Sequence, residues 1–372
     1  MKERILQLGK FYPIGGGVEK VMYDLTLGLS ERGIKCDMMC AAVEGRSYTK
    51  KLNNNARLIC CGALAKYAAT MISPNMIQKL YKSNHKYDII HIHHPDPMAC
   101  MALYMSGYEG KVVLHWHSDI IKQKHLIKLF KPFQNWLLER ADIVVGTTPV
   151  YIKESNFLSK VQHKVTYLPI GVYPCDGMVG KPNRFREEYK GKKIIFSLGR
   201  LVEYKGFEYL IKSAAHLPED YIVLIGGTGP LREKLQAQID AAQLGEKVKL
   251  LGFIEDADLE SYYAACDIFC LSSVSKTEAF GIVQIEAMSC GKPVVATTIE
   301  GSGTHWVNAH GESGLNVPPC DDKALADAFV AIAGDEERYA QFCEGARKRY
   351  EQVFTYEKMI DNCIEIYNKV KE

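Results

Sequence analysis

The sequence predicts an α/β protein built as two doubly wound parallel-sheet domains, and three observations carry that prediction. Short apolar runs alternate with amphipathic stretches along the chain, the pattern of strands covered on both faces by helices. The alternation stops between Pro169 and Gly191, in a stretch holding Pro169, Gly171, Pro174, Gly177, Gly180, Pro182 and Gly191, and then restarts. Finally, 372 residues at 47% hydrophobic and 24% charged content suit two globular domains and exclude disorder, collagen and a long coiled coil.

Residues 5–8 read as the first strand, closed by Gly9. Gly15, Gly16 and Gly17 form a loop before a helix over 18–32, whose apolar positions include Val21, Leu25 and Leu29. Gly33 stops that helix. Further strands read at 35–41, 88–93, 111–117 and 142–146. After the break, strands at 192–197, 221–225, 248–251, 268–271, 293–296 and 314–317 alternate with helices at 207–217, 231–242, 259–266, 282–289 and from 323. The expected organisation is a first domain over 1–172, a linker over 173–191 and a second domain over 192–352. A helix over 353–372 is expected to pack back toward the first domain. In such sheets ligands bind at the carboxyl ends of strands, which puts the expected site in a central cleft between the domains.

Charge and cysteine usage narrow the class. Lys and Arg total 46 against 44 Asp and Glu, a net charge of +2, so nothing draws the chain as a whole to nucleic acid. The 12 cysteines are scattered through apolar runs with no CxxC pair, which fits reduced, buried thiols in a cytoplasmic protein. The N-terminus has no signal-peptide core and no run of ~18 apolar residues appears. His91, His93 and His94 cluster ahead of Pro95, yet the sequence brings no acidic or Cys ligands to them, so no metal is expected.

Two segments carry chemistry. Thr277 to Pro293 reads as a loop, a helix and a stop. Gly281 leaves room for a ligand against the backbone, and free N–H groups at the helix start favour an anion. Glu278 and Glu286 lie eight residues apart, suited to sugar and ribose hydroxyls; taken alone they equally fit solvated acids at a helix start. Ser197 to Gly206 ends a strand in Gly199 and supplies two cations, Arg200 and Lys205, which suit a pyrophosphate or, taken alone, a plain surface. A third segment, 120–140, mixes Lys122, Lys124, His125, Lys128, Lys131 and Arg140 with Leu126, Phe130, Phe133, Trp136 and Leu137. It reads as a domain helix with a solvated basic face, or as a peripheral contact with an anionic membrane.

Taken together and in order, these motifs resemble the retaining glycosyltransferases of the GT-B fold, the group 1 or family 4 class that uses nucleotide sugars. The residues that carry the resemblance are Glu278 to Glu286, Gly199-Arg200 with Lys205-Gly206, Gly226 to Gly229, Leu251-Gly252-Phe253, His310 to Leu315, and Pro13 with Gly15 to Glu19. It spans essentially the whole chain and implies two Rossmann-like domains, the first on the acceptor side and the second on the donor side. It implies further that Arg200 and Lys205 bind the donor diphosphate and that Glu286 holds the ribose hydroxyls. Glu278 would hold the transferred sugar, assisted by the backbone of Phe280, Gly281 and Ile282. Gly252, Phe253 and Ile254 would hold the base through their backbone. Gly16 and Gly17 would let the N-terminal loop approach the diphosphate, and His117 would be the active-site histidine. His115, on the same strand face, is expected to be packed, and Asp119 to orient His117 or to meet the acceptor.

The implied reaction transfers a hexose from a UDP- or GDP-sugar to a glycan or lipid-linked acceptor hydroxyl, with retention and without metal or cofactor. It serves cell-surface polysaccharide, lipopolysaccharide or glycolipid synthesis, in the cytoplasm or at the inner face of the membrane. The alternatives are another GT-B enzyme, such as a sugar-nucleotide epimerase or phosphorylase, or a non-catalytic nucleotide-sugar-binding protein.

Overall fold

The computed structural model describes residues 3–43, 45–67, 70–120, 124–175 and 181–372, with the side chains of 124–127 and 129 outside that description. The chain divides into two compact units, Met1–Ile170 with Glu357–Glu372, and Gly171–Tyr356.

The first unit is built on β1 (Arg4–Tyr12), β2 (Lys35–Ala42), β3 (Tyr48–Lys51), β4 (Arg57–Gly62), a small hairpin of β5 (Ala65–Tyr67) and β6 (Thr70–Ile72), β7 (Ile89–His94), β8 (Lys111–Trp116), β9 (Ile143–Gly146) and β10 (Val165–Tyr167). Its sheet runs β10-β9-β8-β7-β1-β2-β4-β3, parallel except for β3. Sequence periodicity passes over β3 and β4: β3 is a short, exposed edge strand of polar residues, with no buried face to impose a pattern. The helix Gly17–Glu31 seats Val21, Met22, Leu25 and Leu29 in the core, each worth about 1.5–3 kcal/mol of burial. The C-terminal helix Tyr356–Lys371 belongs to this unit from Glu357 on. It buries Met359, Ile360, Cys363, Ile366, Tyr367 and Val370, and Tyr367 accepts a bond from Gln7 Nε2 in the middle of β1 (2.9 Å).

The second unit carries β11 (Lys193–Leu198), β12 (Tyr221–Gly226), β13 (Val248–Gly252), β14 (Ile268–Leu271), β15 (Val294–Thr297) and β16 (Gly314–Val317), in the all-parallel order β13-β12-β11-β14-β15-β16. The order reverses between β11 and β14, the switch point where a doubly wound sheet opens a crevice for ligand.

Two expectations need correction. The stretch read as a linker, 173–191, belongs in its described part to the second unit. Asn183 caps the helix Arg184–Glu188, and Phe185 from that helix stacks on Tyr262 at 3.8 Å. Pro- and Gly-rich composition reports the lack of a periodic apolar face, but one anchored aromatic is enough to pack a segment. The second correction concerns the cysteines, expected to be all reduced: Cys175 is disulfide-bonded to Cys290. The pair lies 115 residues apart, a separation no spacing rule reads.

Candidate active site

In the second unit the carboxyl ends of β11, β12 and β13 are laced loop to loop. Gly199 N donates to Gly226 O (3.0 Å), Gly227 N to Gly252 O (2.7 Å) and Leu201 N to Thr228 O (2.9 Å). A Cβ on Gly227 would stand 1.9 Å from Gly199 O, so the glycines at 226–229 serve this close approach between loops. The Lys205 loop is tied in the same way to the end of β14. Ser272 Oγ donates to Lys205 O (2.9 Å), Val274 N donates to Tyr204 O (2.8 Å), and a Cβ on Gly206 would lie 2.2 Å from Ser272 O.

That lacing brings two expected site residues into direct contact. Lys205 Nζ lies 2.5 Å from Glu278 Oε2, which also accepts from Ser273 Oγ at 2.9 Å. Burial alone pushes the pKa of the Lys205 ammonium down; the adjacent carboxylate more than offsets this, and the Lys205 pKa stands above the usual lysine value. Arg200 is exposed on the loop between Gly199 and Lys205. Behind Glu278, Ser302 Oγ donates to the Glu278 carbonyl and Gly303 N to Ala279 O (3.0 Å), which fixes the loop that enters the helix Ile282–Ser289. Gly281 at that helix start has φ +77°, a left-handed turn that a side chain resists. Phe280 is buried edge-on against Phe354.

Glu286 follows in the same helix and accepts a 2.6 Å bond from Tyr263 Oη. Burial, and then the Glu286 charge, raise the Tyr263 pKa well above its ordinary value, so it stays a donor. Sequence reasoning missed both Tyr263 and Ser273, because a Tyr within a helix and a Ser beyond a strand carry no signal. Gly252 has φ +77° at the end of β13, Phe253 is 67% exposed and Ile254 is buried against Gly226.

In the first unit the register pairs His93 of β7 with His115 of β8, and four imidazoles from His91, His93, His115 and His117 form one fully interior layer. His115 and His117 stack at 3.9 Å with planes 18° apart, and His93 and His117 at 5.2 Å and 16°. One nitrogen from each of His93, His115 and His117 lies within 4.8 Å of the other two, a convergence that the sequence did not reveal. The in-plane direction of His93 Nδ1 is taken up by His117 Nε2, at 2.9 Å. Burial lowers the pKa of all four, that of His115 to about 3, so the layer is neutral.

The partner of His117 is His93, whose Nδ1 lies 2.9 Å from His117 Nε2. This corrects the expectation that Asp119 orients His117. Asp119 Oδ1 instead accepts from Trp116 Nε1 and Ser155 Oγ, both at 2.9 Å. An isolated polar residue within an apolar strand, Gln7 among Ile5, Leu6 and Leu8, was the available signal for what holds His93. Gln7 Oε1 is 2.8 Å from His93 Nε2.

Gly16 precedes the helix Gly17–Glu31, where a Cβ would sit 3.0 Å from Glu19 Oε2; burial raises the Glu19 pKa. Of the basic stretch, residues 121–123, with Lys122, and the side chains of Lys124, His125 and Leu126 lie outside the described residues. Lys128 and Lys131 are exposed, whereas Arg140 turns inward to Gly110 O (2.5 Å) and Tyr108 O (3.1 Å). Among the described residues no helix is long and apolar enough to cross a membrane.

Comparison with known proteins matches both units. The family described as Glycosyl transferases group 1 matches residues 181–349, and Glycosyltransferase Family 4 matches residues 15–174. O-antigen chain mannosyltransferase C of Escherichia coli is 30% identical over 375 residues, 99% of either chain. D-rhamnosyltransferase WbpZ of Pseudomonas aeruginosa is 28% identical over 362 residues, 95% of this chain and 92% of its own. Among solved structures, sucrose-phosphate synthase from Thermosynechococcus elongatus superposes with a TM-score of 0.79 at 22% identity, covering 99% of both chains. Anabaena HepE in complex with UDP reaches 0.79 at 20% identity, over 98% of this chain and 100% of its own. At these identities the structures speak to the fold, which is GT-B.

Proposed function

This chain belongs to the glycosyl transferases group 1, and on that premise we propose that it moves a hexose of manno configuration from a UDP- or GDP-sugar to an acceptor hydroxyl, with retention at the anomeric carbon. The choice of sugar rests on the relatives, an O-antigen mannosyltransferase, a D-rhamnosyltransferase and a phosphatidyl-myo-inositol mannosyltransferase. D-Rhamnose is 6-deoxymannose, so all three names share one ring configuration.

The observation that carries the reading is the buried Lys205–Glu278 contact at 2.5 Å. It sets a cation for a diphosphate directly beside a carboxylate for sugar hydroxyls, the two halves of a nucleotide sugar at its scissile bond. As the anomeric C–O bond breaks, negative charge gathers on the departing diphosphate. Lys205, Arg200 and the first-turn amides of the helix Ile282–Ser289 stabilise that charge without a metal. The acceptor oxygen bonds to the anomeric carbon on the face the diphosphate leaves, and its proton passes to the departing phosphate oxygen. Glu286, held by Tyr263, takes the ribose hydroxyls. His117 takes a hydroxyl of the transferred sugar.

The acceptor is a glycan or lipid-linked hydroxyl, with the reaction run in the cytoplasm. Lys128 and Lys131, exposed on the helix Lys124–Arg140 beside half-buried Phe133 and Trp136, suit a peripheral contact with an anionic membrane. A thermal-shift panel of UDP, GDP, ADP and their sugars, followed by NMR of the product anomer formed in EDTA, tests the reading. Stabilisation by a mannosyl donor and an α-linked product support it. An inverted product, or activity abolished by EDTA, overturns the mechanism.

A further inference from the structure

A continuous chain of side-chain hydrogen bonds runs through the interior of the first unit and ends on His117. Gln7 Nε2 reaches the Tyr367 hydroxyl at 2.9 Å and the Cys36 sulfur at 3.7 Å. Gln7 Oε1 lies 2.8 Å from His93 Nε2, and His93 Nδ1 lies 2.9 Å from His117 Nε2. Gln7 and His93 are fully buried, so each contact must hold one hydrogen and none can be supplied by water.

The amide sets the direction. An amide has two N–H donors on one end and only an acceptor on the other. Its nitrogen end faces two groups able to accept, the Tyr367 oxygen and the Cys36 sulfur. Reversed, it would offer two donors toward His93, which has one nitrogen to receive them, and a stranded buried N–H costs about 1–3 kcal/mol. The oxygen of Gln7 therefore faces His93 and accepts from His93 Nε2–H. A neutral imidazole carries one hydrogen, which leaves His93 Nδ1 bare, and a bare Nδ1 accepts from His117 Nε2–H.

We propose that Gln7 is a positioning residue that, through His93, holds His117 as its Nε2–H tautomer and leaves Nδ1 as a bare acceptor for a substrate hydroxyl. The substrate part of this rests on the reading that His117 touches the transferred sugar. A bare imidazole nitrogen welcomes an O–H and repels a carboxylate or phosphate oxygen, so the group recognised there is a neutral sugar hydroxyl and not the acid of a uronic sugar. Burial, with His115, His93, Lys10 and His91 around it, also keeps His117 neutral through the working pH range.

The test is long-range 1H–15N correlation on the full-length protein with 15N-labelled histidine rings, with His117 assigned from the signal lost in His117→Gln. The wild type should show His117 with protonated Nε2 and unprotonated Nδ1. Gln7→Leu should mix the two tautomers and lower turnover of a mannosyl donor about 10-fold, with UDP affinity unchanged. Gln7→Glu, whose carboxylate favours a doubly protonated His93 that donates from Nδ1, should instead move the His117 proton to Nδ1. Protonated Nδ1 in the wild type, or an unmixed signature in folded Gln7→Leu, overturns the proposal. Should Gln7→Leu not fold, the wild-type and Gln7→Glu spectra decide. If His117→Gln leaves transfer intact, the sugar-contact reading fails while the tautomer measurement still judges Gln7.

Discussion

Lys205 and Glu278, 73 residues apart in sequence, meet at 2.5 Å with both side chains nearly sealed from water, at 11% and 12% exposure. Each is therefore the other's charge partner before any substrate arrives. A ligand that engages both must replace one charge-assisted bond with two, which a diphosphate and a sugar hydroxyl can do.

Removing one partner strands the other. Lys205→Ala leaves the Glu278 carboxylate buried and unpaired, and should cost about 3–5 kcal/mol of stability as well as about 10²–10³-fold in turnover. Arg200 is exposed, so Arg200→Ala should lower turnover with stability changed by no more than about 0.5 kcal/mol. Urea unfolding with initial rates separates the two. Near-wild-type turnover in both folded variants would mean the diphosphate lies elsewhere.

The Tyr263–Glu286 bond predicts a split in ligand affinity. Tyr263→Phe frees a carboxylate oxygen to drift from the ribose, and should weaken UDP or GDP about 10-fold. Glu278→Gln should spare the free nucleotide and weaken the intact nucleotide sugar. Calorimetric titration of both variants with both ligands checks this; equal losses for both ligands would sink the division of roles.

The imidazole layer predicts acid sensitivity. In the unfolded chain a histidine binds its proton near pH 6.5, whereas burial keeps His91, His93, His115 and His117 neutral until far lower pH. Between those limits the unfolded state holds the extra protons, so stability is complete above about pH 6.5 and falls as pH drops. The slope is about 1.4 kcal/mol per pH unit for each histidine. Unfolding midpoints between pH 5 and 8 should show it, and His115→Leu should flatten the slope by one histidine's share.

Closing a loop of 115 residues, the Cys175–Cys290 bond should stabilise the oxidised second unit by roughly 4–5 kcal/mol through the unfolded chain. Cys175→Ser should lower its thermal midpoint and abolish any response to a phosphine reductant. A reductant response that survives in Cys175→Ser would point to another pair, such as Cys40 and Cys60, whose sulfurs lie 3.8 Å apart.

By itself the sequence determined the α/β class, the two doubly wound units, the loops that hold Arg200, Lys205 and Glu278, and the helix that holds Glu286. These are local properties: a buried parallel strand is a run of apolar residues, its helix a 3.6-residue rhythm, and a turn such as Gly281 a residue without a Cβ. Only the tertiary structure decided which of those residues touch. Gln7, His93 and His117 become one chain because β1 lies beside β7 and β7 beside β8, and Tyr367 joins them from 360 residues away. The same holds for Lys205 with Glu278, for Tyr263 with Glu286, and for Phe185, which packs on Tyr262 from within the stretch read as a linker. Strand order and register follow from packing summed over the whole core, and no window of sequence contains that sum.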